Sequence, residues 1–153
     1  MLIREILKNK GSFVFTAKEN EPICNIVQIF REKKIGSFMV NNDSGEIVGI
    51  VTEKDLIKCF CGEDVLKEIK IIDIMTKYED LIIAAEEDDI QYAMSMMTKN
   101  RIKHIPIFRE QELVGLLSIG DLIKAQLEQS EHISKTYLDH IKGKTPQPDN
   151  QEF

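Results

Sequence analysis

A chain that repeats itself is confined to architectures in which one small unit is built twice, and this chain repeats itself. Residues 47–58 read IVGIVTEKDLIK, and residues 113–124 read LVGLLSIGDLIK, 66 positions further on. Gly49 matches Gly115, Thr52 matches Ser118, Asp55 matches Asp121, and the following Leu-Ile-Lys is identical. Upstream the displacement is 67: Ile23, Val27 and Phe30 face Ile90, Met94 and Met97, while Ile35 and Val40 face Ile102 and Ile107. The register changes between residues 41–45 and 108–111, where a hairpin turn absorbs an added residue at little cost. A correspondence that spans whole units and slips only at a turn is a duplication.

Each copy reads β-α-β-β-α. Residues 13–16 and 81–83 are short apolar segments that predict a first strand. The stripes Ile23/Val27/Phe30 and Ile90/Met94/Met97, spaced i, i+4, i+7, predict one helix with a single buried face in each copy. Two apolar strands joined by a tight turn follow (37–40 to 47–51, and 104–107 to 113–117), and a second helix opens at Thr52 or Ser118. The fold class is therefore α/β (α+β). One unit buries too little surface to stand alone, so the two are expected to pack sheet to sheet about a pseudo-twofold axis. The chain divides into 1–62, a lead-in helix and the first unit; 63–127, a linker and the second unit; and 128–153, a C-terminal helix over 128–141 with a flexible tail. Within the linker, Ile72-Asp-Ile-Met-Thr76 echoes Arg4-Glu-Ile-Leu-Lys8.

Composition narrows the function classes. Across 153 residues, 42% hydrophobic and 30% charged is a globular balance rather than a disordered one. A net charge of −6, with no basic run, argues against nucleic acid and anionic membranes as partners. The charged N-terminus is no secretory signal, and no apolar stretch approaches the roughly 18 residues of a membrane span. Cys24, Cys59 and Cys61 are an odd set too sparse for a disulfide framework. The expectation is a cytoplasmic protein with reduced thiols. Cys59-Phe-Cys61 could seed a zinc site, but no second cysteine or histidine pair completes four ligands.

The chemistry concentrates in the repeated Gly-apolar-apolar-[Ser/Thr]-x-x-Asp. Strand passes to helix at the hydroxyl residue, so first-turn N–H groups and the helix dipole favour an anion or polar ligand edge there. The hydroxyl and the carboxylate share one face of that turn, and a carboxylate offers two acceptor oxygens for the two hydroxyls of a ribose. Glycine within the strand allows close approach of backbone or ligand. The same spacing is also a capping box, in which the hydroxyl and the acid satisfy each other's backbone N–H groups. The two roles agree for Thr52 and Ser118 and compete for Asp55 and Asp121. No catalytic triad, nucleophile elbow, metalloprotease helix or phosphate-binding loop is present, and acids in repeated contexts suggest paired binding sites rather than an acid/base couple. The expectation is a binding protein, not an enzyme.

This motif at the end of a β-α-β-β-α unit, occurring twice with an Ile-Met-Thr linker, resembles the CBS-domain pair, named after cystathionine beta-synthase. The resemblance covers about residues 3–127. Residues 101–107 and Ser118-Ile-Gly-Asp121 are similar to stand-alone bacterial CBS-pair proteins labelled inosine-monophosphate-dehydrogenase-related. It implies adenosine ligands (AMP, ATP, NAD or S-adenosylmethionine) in clefts between the units, with no required cofactor. By position it implies ribose at Asp55 and Asp121, with Thr52 and Ser118 beside ribose or phosphate. Lys103 and His104 stand where the family meets phosphate, and the first unit has Gly36 and Ser37 in the same places. The second cleft, with Asp121, is thus expected to be the better phosphate site. Thr16, Lys54 and Ile83 are weaker candidates. The resemblance also implies a homodimer, formed by the helices at 52–60 and 119–127, and a regulated partner protein.

Overall fold

In a computed structural model, residues 1–59 and 69–141 are described. Helix α1 (Ile3–Lys10) leads into β1 (Thr16–Lys18), α2 (Ile23–Lys33), β2 (Ser37–Asn41), β3 (Ile47–Thr52) and α3 (Glu53–Lys58). The second copy follows as α4 (Ile71–Ile74), β4 (Thr76–Lys77), a 3-10 turn (Tyr78–Asp80), β5 (Ala84–Ala85), α5 (Ile90–Asn100), β6 (His104–Arg109), β7 (Glu112–Ser118) and α6 (Ile119–Ile141). One sheet has the order β1-β2-β3-β4 and the other β5-β6-β7. In each, the first strand runs parallel to the second, and the second and third form an antiparallel hairpin. Both hairpins carry a register shift, at Val40/Asn41 and Ile107/Phe108.

Two differences from the sequence reading have simple causes. The first strands lie at Thr16–Lys18 and Ala84–Ala85, C-terminal to the expected 13–16 and 81–83. They are short edge strands whose position is set by pairing with β2 and β6, not by their own apolar run. In addition, α6 runs unbroken from Ile119 to Ile141, joining the second unit's last helix to the expected helix at 128–141. No glycine or proline interrupts residues 121–141, so nothing ends the helix. The tail beyond 143 and Cys61 lie outside the described residues.

The packing exchanges the lead-in segments. Ile3, Ile6 and Leu7 of α1 join a core with Ile90, Met97, Ile105, Ile107, Leu117 and Leu122 of the second unit. Ile71 of α4, with Ile74 and Met75, packs instead into the first unit's core of Ile23, Ile26, Phe30, Phe38, Val40 and Val51. Matching hydrogen bonds fix both: the Ile3 and Arg4 N–H groups donate to the Asp88 and Glu86 carbonyls, while those of Ile71 and Ile72 donate to Glu21 and Glu19. In sequence α1 precedes the first unit; in space it completes the second. Alternation along β2 turns Met39 away from the helical core that takes Phe38 and Val40, yet Met39 is wholly buried. That is the arrangement of two sheets packed face to face.

The exchange explains the motif glycines. A Cβ built on Gly49 would stand 2.4 Å from the Thr76 carbonyl oxygen, and one on Gly115 would stand 2.5 Å from Leu7 Cδ2. The glycine makes room for the crossing lead-in segment.

Candidate functional site

In each copy the second strand of the hairpin ends at the hydroxyl residue and the helix begins at the next one. In the first, Asp55 Oδ2 accepts from the Thr52 N–H (3.0 Å) and from Thr52 Oγ1 (3.1 Å). In the second, Asp121 Oδ2 accepts from the Ser118 N–H (2.7 Å) and Oγ (2.9 Å), and the Asp121 N–H donates to Ser118 Oγ at 3.2 Å. The acids do cap their helices, but they use one oxygen to do so. In Asp55, Oδ1 is left with only Lys58 Nζ, 3.5 Å away. Capping thus occupies one oxygen of the Asp55 carboxylate and leaves the other outside the cap.

Around Asp55 lies a cavity of about 440 Å³ built from both units. The first unit contributes Gly36, Ile50, Thr52, Asp55, Lys54 and Lys58. The second contributes Arg101, Lys103, His104 and Pro106, with Leu81 and Ile82 from the segment ahead of β5. Its lining combines apolar side chains (Ile50, Leu81, Ile82, Ile102, Pro106) with four cations (Lys54, Lys58, Arg101, Lys103) and the acids Glu53 and Asp80. Arg101 caps α5 in the left-handed region, φ 54°, as Lys34 caps α2 at φ 51°.

The sequence assigns Lys103 and His104 to the cleft of Asp121; in the fold both line the cavity of Thr52 and Asp55, while His104 also stands opposite Ser118 in the β6–β7 ladder. The reach across is visible at Gly36, where an added Cβ would meet His104 Nε2 at 2.8 Å. Gly36 is small because the histidine ring lies against it. Burial pushes the His104 imidazole below its ordinary pKa; Glu53 and Asp121 pull the other way, and Lys10 and Lys103 reinforce burial. The neutral ring is favoured. Of the weaker candidates Lys54 lines the cavity, whereas Thr16 and Ile83 are exposed and outside it.

Ser118 and Asp121 have different company. Lys10, at the end of α1, donates from Nζ to Asp121 Oδ2 at 2.6 Å and to the Leu116 carbonyl at 2.9 Å. Burial would raise the Asp121 carboxyl, but the Lys10 ammonium and the Ser118 bonds outweigh it and hold the group below the usual carboxylate range. Asp121 also borders a second hollow, between α1 and α6, with Lys10, Lys124 and Glu128.

Lys10 and Arg101 were missing from the sequence reading. Arg101 lies two residues before Lys103, just past the helical stripe that ends at Met97, and that is a usable signal. Lys10 offered none, because only the exchange of lead-in helices brings it to the second motif. Cys59 is buried and its thiol is pushed up by burial and by Asp55, against Lys58, so it is not a reactive thiolate. Among the described residues no three His, Cys, Asp or Glu side chains group as a metal site, and no helix is long and apolar enough to cross a membrane.

The hydroxyl–acid turn thus occurs twice, once beside a cavity lined by both units and once beside a hollow between α1 and α6. The CBS-domain family model matches residues 4–62 and 71–128, and the chain belongs to that family, carrying the domain twice. It is 27% identical to the mitochondrial CBS domain-containing protein CBSX3 of Arabidopsis thaliana, over 92% of this chain and 72% of that one. Other curated relatives are spanned to very different extents, down to 21% of an inosine-5'-monophosphate dehydrogenase of Methanocaldococcus jannaschii, of which the chain matches only that part. Among solved structures, a CBS-domain protein from Agrobacterium tumefaciens aligns with TM-score 0.77 and 28% identity, over 82% of this chain and 99% of that one. The CBS domain pair of protein MJ0100, solved with 5'-methylthioadenosine and S-adenosylmethionine, aligns with TM-score 0.71 and 24% identity, over 84% and 98%. The last likeness shows the fold alone.

Proposed function

We propose that this chain is a regulatory module that senses an adenine nucleotide in the cleft between its two units, and that it is not an enzyme. One observation carries the reading: the acid and hydroxyl of the first unit and the cationic edge of the second face one cavity of about 440 Å³. That volume lies within the range of small-molecule sites. Each part of a nucleotide finds its chemistry there. Oδ1 of Asp55, outside the cap, accepts from ribose hydroxyls, the apolar lining takes the purine, and Arg101 and Lys103 supply charge-assisted bonds to phosphate. The same fold carries adenosine compounds in the MJ0100 pair. The four cations favour AMP, ATP or NAD over S-adenosylmethionine, which brings no phosphate.

Signalling requires the nucleotide to bind two packings unequally; otherwise nothing reaches a regulated protein. The packing that responds is, in this reading, a homodimer in the cytoplasm. Ile57 on α3 and Ile123 on α6 occupy equivalent places and are 67% and 44% exposed, a matched pair of apolar spots suited to a twofold interface. Light scattering returning a single 17.6 kDa chain at micromolar concentration contradicts that part. The second reading, a structural oligomerisation module, is favoured by the completed helix caps, which give both acids a structural role. A thermal-shift panel separates the two. AMP, ATP or NAD at about 100 times Kd stabilises a receptor by about 2.7 kcal/mol, and a flat response to every adenine compound leaves the structural module.

A further inference from the structure

The two copies differ in one place that their shared motif does not explain. In the first, the backbone of Ile50 pairs with Thr76 of β4, and Ile50 and Asp55 both line the cavity shared by the two units. In the second, the equivalents are Leu116 and Asp121, and that space is bridged by Lys10: its ammonium holds the Leu116 carbonyl at 2.9 Å and Asp121 Oδ2 at 2.6 Å. The difference begins in the lead-in segments. The linker leaves α4 after Ile74 and becomes a strand, whereas α1 stays helical to Lys10 and delivers a cation over the strand end.

We propose that Lys10 is a built-in occupant of the second ligand position, so that each chain takes one nucleotide in the first cleft and a second only when Lys10 is removed or displaced. The inference rests on the nucleotide reading of the motif. Three features support occupancy over a chance surface contact. Lys10 satisfies two acceptors at once, one of them a backbone carbonyl at the strand end. The carboxylate oxygen it takes is the one already charged with capping, so the pair is held to a fixed point. A ribose hydroxyl bonded to Asp121 would be charge-assisted as well, but it would have to share the carboxylate with an ammonium already 2.6 Å away that also spans to the strand backbone. Equal sequence motifs thus produce unequal sites, with Lys10 as the residue that sets the stoichiometry.

Calorimetric titration with AMP tests this on the full chain, comparing wild type, Lys10→Ala and Lys10→Ala/Asp121→Ala. Lys10 is an exposed helix-end residue, so its truncation is compatible with folding, and circular dichroism checks that it is. The expected numbers are one AMP per chain, two, and one. An unchanged stoichiometry in Lys10→Ala, whatever the wild-type value, overturns the inference, as does a double variant that keeps the gained site. A wild type binding two AMP overturns it as well. A wild type that binds none while Lys10→Ala gains one keeps the plug and removes the reading of the first cleft. Lys10→Gln, which keeps most of the stem without the charge, is expected to admit AMP more weakly than Lys10→Ala and more strongly than wild type. Equal behaviour of Lys10→Gln and wild type overturns the role of the charge.

Discussion

Asp55 and Asp121 hold the same position in two copies of one motif, and each caps its helix through Oδ2, yet their surroundings are opposite. The Asp55 side chain is 8% exposed, keeps Oδ1 toward a lysine 3.5 Å away, and borders a cavity with cations from the other unit. The Asp121 side chain is 27% exposed and is answered at 2.6 Å by a lysine from α1. Duplication copied the turn; what each turn does was decided by third parties. For the first these are Arg101 and Lys103, brought across by sheet packing, and for the second it is Lys10, brought by a helix that packs into the other unit. In this chain the surroundings of each turn are therefore composed from segments far apart in sequence.

The largest effect that sharpens this comparison lies in the glycines that let the lead-in segments cross. Gly49 abuts the Thr76 carbonyl, a backbone atom fixed by β3–β4 pairing, whereas Gly115 abuts the tip of the Leu7 side chain. A side chain can turn aside; a paired strand cannot. Gly49→Ala should cost about 2–3 kcal/mol, within the usual range for overpacking, and lower the melting temperature by roughly 5–10 °C. Gly115→Ala should cost under about 1 kcal/mol by the same measurement. Equal losses would mean that the two crossings are equally rigid.

A smaller effect concerns phosphate. Arg101→Ala and Lys103→Ala should each weaken AMP about tenfold while leaving adenosine within about twofold, because each removes one charge-assisted bond that adenosine never makes. Equal losses for both ligands, measured by calorimetry, would show that these side chains shape the cleft without touching phosphate.

Much of the fold was legible because the repeat supplies every element twice: the helical stripes, the hairpins and the strand-to-helix turn at Thr52 and Ser118 all recur in register. The edge strands were misplaced because Phe13 and Phe15 look like a strand, while their rings stack edge to face, centroids 4.8 Å apart, ahead of it. The motif residues of the site were legible from spacing. Their partners were not. Lys103 is near Asp121 in sequence and faces Asp55 in space, and Lys10 is 111 residues from the carboxylate it binds. No local pattern encodes which unit a lead-in helix will join, since α1 and α4 present near-equivalent apolar faces and the choice is made by tertiary packing.

The central claim is that the nucleotide lies with Asp55 and not with Asp121, and one measurement bears on it most directly: the AMP affinity of Asp55→Ala against that of Asp121→Ala. Each substitution removes the same cap, worth about 1 kcal/mol of stability, and Asp121→Ala also removes the Lys10 ion pair, so melting temperatures are compared beside the affinities. The account predicts that Asp55→Ala weakens AMP by about tenfold or more, through loss of the ribose acceptor, and that Asp121→Ala leaves the first cleft's affinity within about twofold. Loss of binding in Asp121→Ala with Asp55→Ala unaffected would contradict it.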